Sequence, residues 1–154
     1  MAKEFGAIDL TDTLIMIGSV LMERKGNCRR IAMDNGKLDK VNCAEKLLDE
    51  WKNRLGLHEW RITFCPFCKP EDMEDEGVGA TSWEEVIKVA KITILDESYY
   101  GNRCVPFDFE KTLVHELLHL KTCLISDTEN ELQERVAHQL IDDLARALVD
   151  AKRT

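Results

Sequence analysis

The sequence predicts an α+β fold in which a small antiparallel or mixed sheet packs on a central helix and on a C-terminal helix that follows it. Two observations support this prediction. Apolar residues recur every three or four positions in four segments, the period of amphipathic helices, and three short runs between the second and third segments have strand character. The chain has 154 residues, of which 44% are hydrophobic, and it contains no internal repeat. We therefore expect one domain over residues 1–154.

The N-terminal part of the chain, residues 1–41, is predicted to be a helical extension of this domain. One apolar stripe predicts a first helix that ends near Gly26. Its members are Leu10, Leu14, Ile17 and Leu21. Residues 27–41 have weak periodicity and a turn signal at Asn35-Gly36, which predicts a small hairpin or a connector.

A second helix is predicted over residues 42–56. Asn42 and Glu45 have the spacing of a capping box at its start, and a glycine commonly follows the last turn of a helix. The single apolar stripe of this helix consists of Ala44, Leu47, Leu48, Trp51 and Leu55. This stripe should pack against the core.

Three strands are predicted between this helix and the next. Apolar and polar residues alternate over residues 60–65, the period of a half-buried strand, which Pro66 should end. The acidic stretch from Cys65 to Gly79 is predicted to be a surface loop. Residues 78–83 and 88–95 should then form an antiparallel hairpin, in which a phase slip in the second run predicts a bulge.

The two C-terminal helices are predicted from their caps and apolar stripes. Asp108 can cap a helix that runs to about Cys123 and is apolar around most of its circumference, so this helix should be buried centrally. Ser126 and Glu129 have the spacing of a second capping box, which would begin a last helix that runs to about Ala151.

The central helix carries an H-E-x-x-H motif, His115-Glu116-Leu117-Leu118-His119. At about 100° per residue the two histidines fall on one face, one turn apart, so both imidazoles can reach one metal ion. Glu116 lies beside His115, in the position of a base that removes a proton from a metal-bound water. Burying two histidines and a glutamate on a leucine-lined helix would cost free energy unless a metal ion and its water satisfied these polar groups. The motif therefore predicts a metal site.

The motif helix resembles that of the zincin metallopeptidases, whose pattern is matched over residues 112–120. Lys121 departs from the family pattern, which prefers an apolar residue there. The resemblance implies a catalytic zinc, which needs a third protein ligand and one open position for water. The metzincin branch would require glycine and histidine where this chain has Thr122 and Ile125, whereas the gluzincin branch takes a glutamate from a following helix.

Glu134 is the predicted third zinc ligand. The expected inward stripe of the last helix consists of Ala137, Leu140, Ile141, Leu144 and Leu148. Extended towards the N terminus, this stripe reaches Glu134. The segment from Glu134 to His138 also resembles the E-x-x-A/S-D element of gluzincins, in which the aspartate orients a zinc histidine, but His138 replaces the aspartate. His138 and Glu129 are alternative ligands, and Glu134 would otherwise be a solvated carboxylate.

The order of elements resembles the small stand-alone gluzincins, sometimes called minigluzincins, and the related SprT-like folds, over about residues 42–151. The resemblance implies a zinc metallopeptidase. Its zinc ligands would be His115, His119 and Glu134. Glu116 would take the proton of a zinc-bound water and return it to the leaving amine. The resemblance also implies a peptide or protein substrate, which in such folds pairs with an edge strand, here residues 88–95.

Two other functions are compatible with parts of the pattern. Peptide deformylases also use H-E-x-x-H, but they place aspartate where this chain has Leu118, and they need an E-G-C motif that this chain does not contain. A non-catalytic, zinc-stabilised protein-binding module would keep the metal for its folding energy. Such a structural site has no use for Glu116, which favours the enzyme.

The six cysteines carry weaker signals. They are Cys28, Cys43, Cys65, Cys68, Cys104 and Cys123. Because no export signal is recognisable, reduced thiols are expected rather than a disulfide framework. Cys65 and Cys68 form a C-x-x-C pair, which could be redox-active or half of a zinc site. The acidic stretch after it and the absence of a second C-x-x-C disfavour both roles.

The charge of the chain excludes several partners. Twenty-nine acidic and 21 basic residues give a net charge of −8 and a pI near 5.0. The resulting field repels polyphosphate and anionic lipid, so nucleic acid is not expected as a partner. The longest uncharged run, residues 13–22, is shorter than the roughly 20 apolar residues that span a bilayer. We therefore expect a cytoplasmic protein with no membrane partner.

Overall fold

Three α-helices and three strands are the main elements of the described part of the chain. The computed structural model describes residues 35–73, 77–126 and 130–154. In chain order the elements are α1 (Asn35–Leu55), β1 (Arg61–Cys68), β2 (Gly79–Glu84), β3 (Val89–Leu95), α2 (Phe109–Ser126) and α3 (Glu131–Arg153). The α+β prediction is confirmed at this level, whereas the first predicted helix, ending near Gly26, lies outside the described residues. No helix among the described residues has both the length and the apolar character that crossing a membrane requires.

Helix α1 begins earlier than predicted and ends where predicted. Asn42 lies inside the helix rather than at its start, and Asn35-Gly36 is helical rather than a turn or hairpin. Residues 37–41 contain no helix breaker, and extending a helix is favourable once its first turn exists, so the helix reaches further towards the N terminus. At the other end Gly56 has a φ of +62°, the left-handed conformation that ends many helices.

The three strands form one mixed sheet in the order β1-β3-β2. β2 and β3 form the predicted antiparallel hairpin, and β1 runs parallel to β3. The register of the hairpin is continuous from Gly79, opposite Ile94, to Glu84, opposite Val89, so the predicted bulge in the second run is wrong. The phase slip arises because β3 is covered on both faces, and its last four residues are all buried.

The outer strands of this sheet are β1 and β2. The expectation that residues 88–95 provide an edge strand for substrate is therefore wrong, because β3 is hydrogen-bonded to a strand on each side. β2 packs against α2 and is the edge strand opposite β1 in the described part of the sheet. The sequence could not decide this, because the parallel pairing of β1 with β3 depends on contacts that are distant along the chain.

The prediction that Pro66 ends the first strand is also wrong, because β1 continues to Cys68. Cys65 pairs with Thr93 and Cys68 pairs with Leu95, so two residues of β1 lie opposite one residue of β3. This extra residue makes a β-bulge, and Phe67 there has a φ of +59°. A proline has no N–H to donate and is tolerated at a bulge in an outer strand. The bulge therefore replaces the predicted strand end.

Helix α2 is the central element of the core, as predicted. Asp108 caps it by accepting a hydrogen bond from the amide of Lys111 at 3.2 Å. The buried residues of α2 include Leu113, Val114, Leu117, Leu118, Leu120 and Cys123. They form one cluster with buried residues of the sheet, of α1 and of α3. The motif helix is thus held by packing on several sides.

Helix α3 begins at a cap that the sequence did not indicate. Its N-cap is Asn130, whose Oδ1 accepts hydrogen bonds from the amides of Leu132 and Gln133. The predicted capping box is wrong, because Ser126 is the last residue of α2. Glu129, the other residue of that box, lies outside the described residues.

The buried side of α3 differs from the predicted one. Ile141, Ala145 and Val149 are buried. The leucines that were expected to face inward, Leu140, Leu144 and Leu148, are exposed. At about 100° per residue, the buried stripe is rotated by roughly 80° from the predicted stripe. The small side chain of Ala145 allows α3 to approach its neighbours closely, so packing outweighs the greater hydrophobicity of the leucines.

Ion pairs fix the C-terminal end of α3. Arg153 makes a two-pronged pair with Asp108, at 2.7 and 2.9 Å. Lys152 donates hydrogen bonds to Glu50 at 2.9 Å and to Glu110 at 2.6 Å. These contacts tie the end of α3 to α1 and to the start of α2. They thereby help to determine which residues of α3 lie beside the motif.

Candidate metal centre

Two histidines of α2 lie side by side at the edge of the core. The Nε2 atoms of His115 and His119 are 3.1 Å apart, and their ring centroids are 4.9 Å apart. Both side chains are partly buried. The helix brings the two imidazoles together because residues four positions apart share a face.

A third histidine joins this pair from α3. The ring centroid of His138 lies 4.7 Å from that of His115 and 5.4 Å from that of His119. One ligand nitrogen of each histidine lies within 4.8 Å of the others, so the three can hold one metal ion. The side chain of His138 is 57% exposed, which leaves the α3 side of this three-histidine group open to solvent.

Glu134, the predicted third ligand, is not a member of the three-histidine group. It is exposed, and it precedes His138 by one helical turn, about 6 Å along the axis. The alternative ligand His138 occupies the place beside the motif histidines, and Glu129 lies outside the described residues. We therefore replace Glu134 by His138 in the candidate ligand set.

The sequence did contain a signal for His138. In the E-x-x-A/S-D element the first residue is the ligand, and the aspartate four positions later orients a histidine. His138 and Asp142 have this spacing, one turn further along α3 than Glu134 and His138. The spacing was not recognised because the predicted apolar stripe had the wrong position around α3. With that stripe facing the core, Asp142 would lie on the solvent side of the helix.

Asp142 of α3 lies beside the histidines. Its Oδ1 lies 2.8 Å from Nδ1 of His115, and its Oδ2 lies 4.0 Å from Nδ1 of His138. A hydrogen bond from Nδ1–H of His115 to the carboxylate leaves Nε2 as the ligand atom. Asp142 thus fixes the direction of the His115 ring.

The surroundings favour the neutral form of the motif histidines. Burial lowers the pKa of His119 to about 4, and the neighbouring His115 and His138 act in the same direction. Burial also lowers the pKa of His115, although the carboxylate of Asp142 opposes this shift. Neutral imidazole is the form that binds metals, so both rings are ready to act as ligands at neutral pH.

Glu116 is buried next to the three-histidine group, with 5% of its surface exposed. The hydroxyl of Thr81 donates a hydrogen bond to Oε2 of Glu116 at 2.7 Å. Gly79 leaves space for the same carboxylate, because a Cβ atom there would lie 2.9 Å from both Cγ and Cδ of Glu116. The strand β2 therefore contacts the carboxylate of the motif at two positions.

Trp83 extends this contact between β2 and the motif helix. Its ring stacks on the imidazole of His119, with centroids 6.4 Å apart and planes inclined by 17°. Gly79, Thr81 and Trp83 are alternate residues of one strand, so their side-chain positions share a face. That face of β2 lies against Glu116 and His119.

Cys65 and Cys68 lie in β1, so they are not on the predicted surface loop. The thiol of Cys68 donates a hydrogen bond to the carbonyl oxygen of Cys65 at 3.1 Å. Neither residue belongs to the three-histidine group found in the described part of the chain. Their positions give no support to a redox or zinc role.

Comparison of the chain with protein-family models, with curated proteins and with solved structures finds no match.

Proposed function

We propose that the protein is a zinc-dependent hydrolase with a zincin-like site, and that it cleaves peptide bonds. The observation that supports this proposal most directly is the buried carboxylate of Glu116 next to three clustered imidazoles. The ligands we propose are His115, His119 and His138. The sequence-based expectation of a zinc metallopeptidase is thus kept, with one ligand replaced.

The donor set suits zinc. Imidazole nitrogens bind zinc at about 2.0–2.1 Å, which places the ligand nitrogens of a tetrahedral site about 3.3 Å apart. The separation of 3.1 Å between His115 and His119 is close to this value, and the wider spacing to His138 can close by rotation of an exposed side chain. Three protein ligands also leave the fourth position that a catalytic site needs.

The residues of the site divide the work of hydrolysis. When bound, zinc supplies a Lewis acid that lowers the pKa of water and polarises a carbonyl group. Asp142 keeps the ring of His115 in its ligating orientation. Glu116 accepts a proton from the attacking water and then gives it to the leaving amine, as general base and general acid.

A catalytic role is favoured over a purely structural one by Glu116. A structural zinc site normally closes its fourth position with a protein ligand and requires no base. Here a glutamate is held next to the ligands by a hydrogen bond from Thr81, although burying such a polar group costs free energy. That cost is understandable when the carboxylate takes part in a reaction.

The edge strand β2 supports a peptide as the substrate. The amide of Leu95 donates to the carbonyl oxygen of Val78 at 2.9 Å, and hydrogen-bonded pairs alternate along an antiparallel ladder. The backbone N–H and C=O groups of Gly79, Thr81 and Trp83 are therefore directed away from β3, towards the edge. An extended peptide that pairs with these groups would lie along the strand that contacts Glu116 and His119.

The experiment that tests this proposal measures zinc content and hydrolysis of a mixture of unstructured peptides in parallel. We expect the zinc-loaded protein to cleave peptides, and Glu116→Gln to retain its zinc while losing about 100-fold or more in rate. Glu131→Gln, which changes an exposed glutamate of α3, is the matched control and should behave as the unchanged protein.

Two outcomes would contradict the proposal in different ways. A Glu116→Gln variant as active as the unchanged protein would remove the role of this residue. Zinc-loaded protein that cleaves no peptide would favour the alternative, a non-catalytic zinc-stabilised protein-binding module.

A further inference from the structure

Thr81 of β2 contacts Glu116 through its side chain. The Oγ1 atom lies 2.7 Å from Oε2 of Glu116 and 3.3 Å from the carbonyl oxygen of the same residue. The hydroxyl has one proton to donate, and the shorter contact is the one to the carboxylate. Because threonine is branched at Cβ, its χ1 is restricted, and the hydroxyl is fixed relative to the strand.

Gly79, two residues earlier in β2, defines the other wall of this carboxylate pocket. A Cβ atom at this position would lie 2.9 Å from Cγ and Cδ of Glu116, and closer still to Oε1. A side chain at this position would therefore force the glutamate side chain to move. β2 therefore restrains Glu116 in two ways. The hydroxyl of Thr81 donates a hydrogen bond to its carboxylate, and the backbone at Gly79 lies close to its side chain.

We propose that Thr81 is a positioning residue for the hydrolytic reaction, and that Gly79 provides the space that the positioned carboxylate occupies. The inference rests on the proposed function. A glutamate side chain has three rotatable bonds, and most of its orientations would not point a carboxylate oxygen at the attacking water. Holding a catalytic group in its productive orientation contributes to rate, and a misplacement of about 1 Å can cost about 100-fold.

Thr81 has a second connection to the reaction through its backbone. The N–H and C=O groups of Thr81 are directed to the edge of β2 at which we propose that the peptide pairs, while its hydroxyl contacts Glu116. One residue would therefore set the distance between the bound peptide and its general base. The bound peptide and the carboxylate of Glu116 would keep a fixed relative position, because β2 holds both.

The test compares Thr81→Val with Thr81→Ser in the full-length, zinc-loaded protein. Valine keeps the shape of threonine without the hydroxyl, whereas serine keeps the hydroxyl. We expect Thr81→Val to lower kcat by about 10–100-fold, with KM changed by less than about threefold. Thr81→Ser should keep most of the kcat of the unchanged protein. Zinc content should be the same in both variants.

Thr93→Val is the matched control. It removes a buried threonine hydroxyl from the same sheet, one that donates to the carbonyl oxygen of Ala80 at 3.4 Å. If Thr81→Val lowers kcat no more than Thr93→Val does, the inference is overturned while the proposed function stands. Loss of zinc from Thr81→Val would also overturn it, because the hydroxyl would then act on the metal ligands. If the unchanged protein binds zinc but cleaves no peptide, the proposed function fails, and this inference fails with it.

A second readout does not depend on activity. Crystal structures of metal-free Thr81→Val and Thr81→Ser should show the Glu116 carboxylate rotated in the first and retained in the second. Gly79→Ala provides an independent variant, which should displace the carboxylate and lower kcat while zinc is kept. An unmoved carboxylate in both Thr81→Val and Gly79→Ala would contradict the positioning role.

Discussion

Asp142 of α3 and His115 of α2 are joined by a hydrogen bond of 2.8 Å between Oδ1 and Nδ1. The bond connects the two helices that together supply the three histidines. The side chain of His115 is 13% exposed and that of Asp142 is 49% exposed, so the bond lies at the boundary between core and solvent. Water can still solvate the carboxylate there, while the imidazole remains fixed and desolvated.

Removal of this carboxylate should weaken metal binding. We expect Asp142→Ala to reduce the affinity for zinc by about 10–100-fold, because the ring of His115 loses the partner that fixes its direction. Competition with a chromophoric chelator measures this change. Asp143→Ala, which removes the adjacent exposed aspartate, is the control and should leave the affinity unchanged. Equal affinities for the two variants would show that Asp142 does not orient a ligand.

The metal-free protein should lose stability as the solution is acidified. The pKa of His119 is about 4 in the folded protein, against an ordinary value of 6.5. Between these values the unfolded chain takes up a proton on His119 that the folded protein does not accept. The free energy of unfolding should therefore fall as the pH is lowered from 6.5 to 4, and His119→Gln should reduce this fall. Titration of His119 by NMR near pH 6.5 would contradict the prediction.

The rotation of α3 can be tested by two adjacent residues. Ile141 is buried, and Ile141→Ala should lower the free energy of unfolding by about 2–4 kcal/mol. Leu140 is 56% exposed, and Leu140→Ala should change it by less than about 0.5 kcal/mol. Chemical denaturation of the metal-free variants measures both. If Leu140→Ala were the more destabilising change, the phase first predicted from the sequence would be right, and His138 would not face α2.

The ion pairs at the end of α3 should contribute to stability. Burial alone would raise the pKa of Glu110, but hydrogen bonds from Lys152, Trp51 and Arg153 outweigh burial and lower it. Glu110→Gln should lower the free energy of unfolding by about 1–3 kcal/mol, because these donors lose a charged acceptor. Denaturation measures this effect, with Glu45→Gln on the exposed side of α1 as the control. A loss no larger than that of the control would show that the network is not stabilising.

The sequence predicted the parts of the fold that depend on local patterns. The end of α1 at Gly56, the cap of α2 at Asp108 and the antiparallel pairing of β2 with β3 follow from signals within a few residues, and all are observed. The pairing of β1 with β3 and the bulge after Cys65 depend on contacts between distant segments. Propensity carries little information about such contacts.

The site was predictable to the same degree. The spacing of His115 and His119 on one helix is a local property, and the structure brings these two residues together. The third histidine depends on the phase of α3 against the core. The leucines of α3 gave the stronger apolar stripe, yet the helix packs through Ala145 instead, which turns His138 towards α2. Hydrophobicity alone therefore indicated a core-facing side that did not include His138.

The most direct test of the three-histidine site is the zinc content of His138→Ala and Glu134→Ala beside the unchanged protein, measured by elemental analysis after purification without chelators. With zinc held by His115, His119 and His138, we expect the unchanged protein and Glu134→Ala to carry the same amount of zinc and His138→Ala to lose most of it. Zinc lost from Glu134→Ala and retained by His138→Ala would contradict the three-histidine site and restore the glutamate as the third ligand.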